Sequence, residues 1–266
     1  MKKIAFTIVL NGLPFIKKQA EIIPQVFDEW YIVEGATTPV LDTGWCKPIP
    51  EKFYSNNFLS NDGTTEFLDS ISSDKIKIIR KEQLWNGKVE MCNSFMDKIE
   101  NSILMQFDVD EIWNIEVLKD VLEYADKNDH FDGMVFKCNY FVGPNLITVG
   151  ENCYGNNSYE WHRLWKIRNK TYWLSHEPPR VKGCLNFLTR NFTKNKNWVF
   201  NHYAYILESQ LKFKENFYGY DGAVNCWNKL QVAENFPRLL KDYLPWVDSQ
   251  VQVDKIDEQN SFNISL

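Results

Sequence analysis

The stretch Met105-Gln106-Phe107-Asp108-Val109-Asp110-Glu111-Ile112-Trp113 sets carboxylates directly after the apolar run Ile103-Leu104-Met105. Asp108 and Asp110 are two residues apart. On an extended backbone both side chains project to one side, with Val109 on the other. Two carboxylates that close repel each other, and a cation between or beside them removes the repulsion. Hard oxygen ligands suit Mg²⁺ or Mn²⁺, which keep positions open for phosphate oxygens. The plainer alternative is a solvated acidic turn, with Asp110 or Glu111 near the N-terminus of the next helix.

Around this cluster the first half of the chain alternates. Residues 3–10 read as a strand, 14–27 as a helix interrupted at Pro24, and Glu29–Glu34 as a second strand. A helix over Glu66–Ile71 and a strand over Lys75–Arg80 follow. From Gly87 the apolar positions Val89, Cys92, Met96 and Ile99 fall at helical spacing. Ser102–Phe107 is the strand that delivers the carboxylates, and a helix marked by Leu118, Val121, Leu122 and Ala125 leads to a strand over Gly133–Lys137. Strands alternating with helices predict a mostly parallel sheet with helices on both faces. In such sheets ligands bind at the carboxyl ends of the strands, where Asp108 and Asp110 fall. The second half predicts short antiparallel strands over Glu160–Ile167, Thr171–Leu174 and Trp198–Asn201, then helices over Leu207–Tyr218 and Ala223–Glu234. The expected organisation is a single catalytic domain over 1–248, divided at 113, with a polar tail over 249–266 that is loosely ordered.

Bulk properties narrow the classes. The chain has 266 residues, 44% hydrophobic and 24% charged, which supports one full core. A net charge of −5 argues against duplex nucleic acid as the main partner. Aromatics reach 15%, with ten Trp. Most belong to the core, although sugar-binding clefts use the same surplus because apolar sugar faces stack on rings. The six Cys are scattered, with no CxxC pair, so neither a zinc knuckle nor a disulfide framework is indicated. The opening MKKIAFTIVLNGLPF imitates a signal peptide, but its apolar run is short and reads as the first buried strand. No stretch is long enough to span a membrane.

The apolar strand followed by Asp108-Val109-Asp110 resembles the DxD motif of GT-A glycosyltransferases, and LMQFDVDEIW resembles the DxDE form of family 2-like members. SNDGTTEFLD (60–69) is similar to their turn and following helix, and NGKVEMCN (86–93) to the helix before the DxD strand. WHRLWKIRNKTYWLSHEPPRV (161–181) is similar to a segment ending in His-Glu, and HYAYI (202–206) to a late His-bearing stretch. The resemblance covers roughly residues 4–215. Two features, IVEGA and KPIPEKFYS (47–55), also resemble β-1,4-N-acetylglucosaminyltransferase-like enzymes. The usual carboxylate pattern after the second strand departs here to Val33-Glu34-Gly35-Ala36-Thr37, and a QxxRW helix of processive synthases is not evident.

The resemblance implies a GT-A fold: a Rossmann-like, mostly parallel sheet with helices on both faces and a smaller antiparallel acceptor-side region. Residues 1–113 would form the nucleotide-sugar-binding half and 114–248 the acceptor-side half. It implies transfer of a hexosyl or N-acetylhexosaminyl group from a nucleotide sugar, with UDP as the nucleotide, to a glycan or lipid-linked acceptor with inversion. Mn²⁺ or Mg²⁺ would neutralise the leaving diphosphate. Asp110 is the expected direct ligand, Asp108 the ribose or metal-water partner, and His202 a third ligand or else a structural His among aromatics. Glu177 is the first candidate for general base and Glu160 the second, with His176 orienting the base or binding acceptor. Arg163 is a candidate for a phosphate or carboxylate, or pairs with Glu160. Asn11, Glu34, Lys88 and Asn93 are candidates for the donor. Lys212 and Lys214 read by default as exposed helix lysines. Trp85, Trp113 and Trp161 read as core before sugar platforms.

Two other classes compete. A metal-dependent sugar nucleotidyltransferase usually carries a Gly-rich loop after its first strand, where this chain has Asn11-Gly12-Leu13-Pro14. A non-catalytic carbohydrate-binding protein would not need Asp108, Asp110, Glu177 and His202 together. The expected location is the cytoplasm or the inner face of a membrane.

Overall fold

The computed structural model describes residues 1–42, 44–149, 161–247 and 250–256. In chain order its first half contains β1 (Lys2–Val9), α1 (Phe15–Val26), β2 (Glu29–Glu34), α2 (Thr64–Ile71), β3 (Ile76–Ile79), α3 (Lys88–Asn93), β4 (Ser102–Gln106), β5 (Glu111–Ile112), α4 (Ile115–Lys127) and β6 (Gly133–Val135). The second half contains β7 (Lys137–Gly143), β8 (Leu146–Val149), β9 (His162–Ile167), β10 (Trp173–His176), β11 (Pro179–Val181), β12 (Phe187–Leu188), α5 (Arg190–Asn195), β13 (Val199–His202), α6 (Glu208–Phe217), α7 (Ala223–Gln231), β14 (Arg238–Leu239) and β15 (Gln252–Lys255).

The main sheet has the order β12-β6-β9-β4-β1-β2-β3. Its neighbours run parallel except β9, which is antiparallel to both β4 and β6. Both faces are covered, which is why its strands read as continuous apolar runs. In β1, Ala5 and Val9 pack toward α1 and α4, while Ile4 and Phe6 pack toward α3 with Phe95 and Trp173. A second sheet, β14-β15-β8-β7-β13-β5, stands beside it. Strands from the second half of the chain therefore complete the sheet begun by the first.

Three local expectations change. α1 runs through Pro24 to Val26, because a proline two residues from the end removes a single hydrogen bond there. α3 stops at Asn93, and a 3₁₀ turn over Met96–Lys98 carries the remaining apolar residues. There the Ser94 hydroxyl donates to Met91 O at 2.7 Å, an alternative to helix that short hydroxyl side chains offer. Within the expected polar tail, Gln252–Lys255 forms β15 between β8 and β14. Val251 and Val253 are buried there, an alternation that a polar count conceals.

Because β1, β2 and β4 are parallel, their carboxyl ends bring Asn11, Gly35 and Asp108 to one edge of the sheet. Gly12 permits a close approach: a Cβ there would stand 2.8 Å from the side chain of Val109, the residue between Asp108 and Asp110. Among the described residues no helix is long and apolar enough to cross a membrane.

Candidate active site

At that edge opens a cavity of about 1640 Å³. Asp108, Asp110, Arg163, His176, Glu177, His202, Lys88 and Asn11 all line it. Residues from six segments of the sequence thus meet in one place, and the strand registers explain how.

β9 runs antiparallel to β4, with Leu164 opposite Met105. Arg163 therefore lies beside the end of β4. Its guanidinium reaches Asp108 Oδ2 at 2.6 Å and both oxygens of Glu111, with Nη2 at 2.6 Å from Oε1 and Nε at 2.9 Å from Oε2. Glu111 is fully buried. Burial pushes its carboxyl up to about 7 against the pull of Arg163. Burial works against the Arg163 charge as well, but Asp108 and Glu111 outweigh it and hold the group cationic. The partner of Arg163 is thus the acidic cluster itself. Glu160, one alternative partner for Arg163 and the second base candidate, lies outside the described residues.

β13 runs antiparallel to β5 with His202 opposite Glu111, so His202 comes beside Asp110. Their Nε2 and Oδ1 atoms are 3.3 Å apart. Gln210 of α6 donates to Asp110 Oδ2 at 3.1 Å and to Tyr203 O at 2.7 Å, and Tyr203 N donates to Asp110 O at 2.9 Å. Burial raises the Asp110 carboxyl pKa, but His202 and Lys214 pull it down to about 2. Asp110 and His202 set an oxygen and a nitrogen donor side by side at the cavity wall, a pair that could hold a divalent cation such as Mn²⁺ or Mg²⁺. Asp108 is turned to Arg163, and among the described residues no group of three Asp, Glu, His or Cys side chains is assembled as a metal cluster.

The β10–β11 hairpin carries Glu177 at its tip, with His176 opposite Pro179. Asn93 fixes that hairpin: its amide donates to Trp173 O at 3.2 Å and accepts from Trp173 N at 2.8 Å. Asn93 is consequently spent on backbone and does not line the cavity. Lys88, on the first turn of α3, reaches Glu177 Oε1 at 2.6 Å and Asp42 Oδ1 at 3.4 Å. A Cβ on Gly87 would fall 2.1 Å from Val40 O, so the glycine lets the Asp42 loop close on Lys88. Burial raises the Glu177 carboxyl pKa, but the Lys88 charge and His176 reverse that and hold it well below its ordinary value. Asp42 moves the other way: burial raises it despite Lys88.

Gln106 links the two halves of the site. Its Nε2 donates to Asp108 Oδ1 at 2.8 Å and stands 3.3 Å from His176 Nε2. An amide nitrogen only donates, so His176 Nε2 accepts and the ring proton sits on Nδ1. That atom is 3.8 Å from Glu177 Oε1.

Other expected residues are placed differently. Glu34 is fully buried and does not line the cavity; Arg80 Nε holds it at 2.6 Å and Thr65 Oγ1 at 2.6 Å. Asn11 lines the cavity, but its side chain ties Phe53 O and Asn61 N. Trp85 and Trp113 are core, while Trp161 lines the cavity and packs 4.8 Å edge-on to His202. Lys212 and Lys214 both line the cavity; Lys212 is exposed and pairs with Glu208, whereas Lys214 pairs with no carboxylate among the described residues. Burial lowers the pKa of its ammonium against the pull of Asp110. Asp42, Gln106 and Gln210 gave no signal in the sequence, since each acts through a partner remote in the chain.

A family model described as glycosyl transferase family 2 matches residues 56–193. The chain belongs to this family, and the parallel sheet with its cavity at the strand ends is the GT-A fold. Curated protein sequences returned no match. Among solved structures, S. aureus TarS 1–349 is similar at a TM-score of 0.42 and 15% identity over 62% of this chain and 47% of that one. A longer TarS structure matches at 0.43 and 16%, over 62% of this chain and 28% of that one. TarS 1–349 in complex with UDP-GlcNAc matches at 0.41 and 16%, over 62% and 45%. The chain thus spans less than half the length of these proteins.

Proposed function

We propose that the protein is a metal-dependent, inverting glycosyltransferase that moves a sugar from a nucleotide sugar, with UDP as the nucleotide, to a glycan or lipid-linked acceptor. The observation that carries this reading is the convergence of the Asp110–His202 pair and the Lys88–Glu177 pair on one cavity in a family 2 chain.

Asp110 and His202 would hold Mn²⁺ or Mg²⁺, and Gln210 fixes the Asp110 carboxylate for that task. The bound ion supplies Lewis-acid neutralisation of the leaving diphosphate. Lys214 adds a second positive charge on the same side of the cavity. Arg163 balances Asp108 and Glu111, which keeps Asp108 ionised and able to accept a ribose hydroxyl. Glu177 takes the proton of the acceptor hydroxyl. Lys88 keeps it ionised and ready, and also lowers its basicity. Proton transfer is then easiest once Lys88 loosens its hold. His176 Nδ1 stands 3.8 Å from the same carboxylate. The reaction would take place in the cytoplasm or at the inner face of a membrane.

Turnover tests this. Nucleoside diphosphate release is followed with a panel of UDP-, GDP- and dTDP-sugars, in Mn²⁺ and in EDTA, with cello- and chito-oligosaccharides as trial acceptors. Release from one nucleotide class that stops in EDTA is expected. Release that survives EDTA rejects the metal. Absence of turnover with every donor and acceptor pair counts against an active transferase.

A further inference from the structure

Asp42 is a buried carboxylate beside the reacting groups. Its side chain is 1% exposed, and neither oxygen has a hydrogen-bond partner among the described residues. Proteins rarely leave a buried carboxylate in that state, because its desolvation goes uncompensated. A carboxylate that merely anchors a loop uses its oxygens on backbone N–H groups. Asp62 does so, accepting from Leu13 N at 3.1 Å and from Thr64 N at 3.0 Å. Asp42 instead has an ion pair with Lys88, whose Nζ is 3.4 Å from Oδ1. Backbone pairing fixes its loop against the residues before α3: Thr38 N donates to Trp85 O at 2.9 Å, and Trp85 N to Ala36 O at 3.0 Å. Lys88 Nζ thus stands between two carboxylates from separate segments, with Glu177 Oε1 closer at 2.6 Å. The Tyr218 hydroxyl at 3.5 Å and the Phe217 ring, its centroid at 5.2 Å, add contacts without charge. Lys88 and Glu177 line the cavity and Asp42 does not.

We propose that Asp42 is a positioning residue for the transfer: it takes over the charge of Lys88 when Glu177 takes the proton of the acceptor hydroxyl. This inference rests on the glycosyltransferase reading above. In the transfer, the acceptor oxygen bonds to the anomeric carbon of the donor sugar. The bond from that carbon to the diphosphate oxygen breaks, its electron pair stays on the diphosphate, and the hydroxyl proton passes to Glu177. Glu177 is then neutral. Without Asp42, the largely buried Lys88 ammonium would have lost its counter-charge, which is costly away from water. Asp42 holds that counter-charge in place, with both oxygens free to receive the ammonium. The flexible four-carbon stem of lysine closes the remaining gap without moving the backbone. Lys88 returns when Glu177 releases its proton to solvent. One lysine therefore keeps Glu177 ionised before transfer and lets go of it during transfer.

Asp42→Asn keeps the shape and removes the charge, and a double-mutant cycle with Lys88→Met tests the proposal in the whole chain. Steady-state turnover is read beside UDP calorimetry in Mn²⁺. On the parent, Asp42→Asn is expected to lower kcat by about ten-fold with UDP affinity unchanged. On Lys88→Met the same substitution is expected to change kcat by less than about two-fold, because no charge remains for Asp42 to take over. A merely structural role would cost the same in both backgrounds. Should either variant fail to fold, Asp42→Ala or Lys88→Gln takes its place. An equal loss in both backgrounds, or a fall in UDP affinity that matches the fall in kcat, overturns the proposal. A parent that turns over no donor removes the glycosyltransferase reading and this proposal together. An active parent whose kcat Asp42→Asn leaves unchanged removes this proposal alone.

Discussion

Lys88 Nζ lies 2.6 Å from Glu177 Oε1, joining the first turn of α3 to the tip of a hairpin 89 residues on. The pair sets how Glu177 titrates. Burial alone would raise its pKa above 4.5, and the Lys88 charge does most to bring it below that value. Glu177 is therefore ionised throughout the range above pH 5, and kcat/KM shows no acid limb from it there. Lys88→Met removes the pull and keeps the burial, so the pKa rises and an acid limb moves up toward neutral pH. A pH–rate profile of that variant checks the sign; a limb that does not move shows that Lys88 is not what holds the carboxylate.

Glu177→Gln keeps the size of the side chain and loses the proton acceptor. Transfer is expected to fall by about 10²–10⁴-fold. Nucleotide affinity is expected to stay at the parent value, since Asp110 and His202 are untouched. Steady-state turnover beside UDP calorimetry separates the two effects. A fully active variant moves the base elsewhere, with Glu160 the next residue to replace.

Gln210 contacts Asp110 and the Tyr203 carbonyl, so it orients the carboxylate proposed to hold the metal. Gln210→Leu is expected to lower Mn²⁺-dependent UDP affinity by about 10- to 100-fold while the protein remains folded. Affinity equal to the parent would show that Asp110 needs no outside support.

Arg163 and Glu111 are both buried, and Arg163 is the cation shared by Glu111 and Asp108. Arg163→Met leaves two carboxylates without their cation. A loss of about 3–5 kcal/mol in unfolding free energy is expected at neutral pH, read by urea denaturation. A loss below about 1 kcal/mol would mean that the cluster relaxes into solvent.

The parallel core was legible because its signals are local. Glu29–Glu34 reads as a strand from its own composition, and Asp108 stands at the end of an apolar run that can only be buried. Register was not legible. The antiparallel strand over 160–167 was read, but nothing near Arg163 announces that it lies beside β4, so its partners, Asp108 and Glu111, were missed. Asn93 looked like a donor contact because it closes NGKVEMCN, the stretch that resembles the helix before the DxD strand, but Trp173, 80 residues away, occupies its amide. Glu34 was read as a ligand-facing carboxylate, although Arg80 and Thr65 enclose it. Lys214 passed for a surface lysine, since its helix shows no strong apolar face of its own and burial comes from Tyr205 and Tyr218. The stack of Tyr218 and Tyr220 with Trp246 joins two separate segments and exists only after folding.

Calorimetric titration of UDP into the parent protein and into Asp110→Ala, each with Mn²⁺ and after chelation, addresses the central claim most directly. The account predicts UDP binding by the parent that depends on Mn²⁺, and loss of the metal-dependent part in the folded Asp110→Ala variant. UDP binding that is indifferent to Mn²⁺, or that Asp110→Ala reproduces in full, would contradict it.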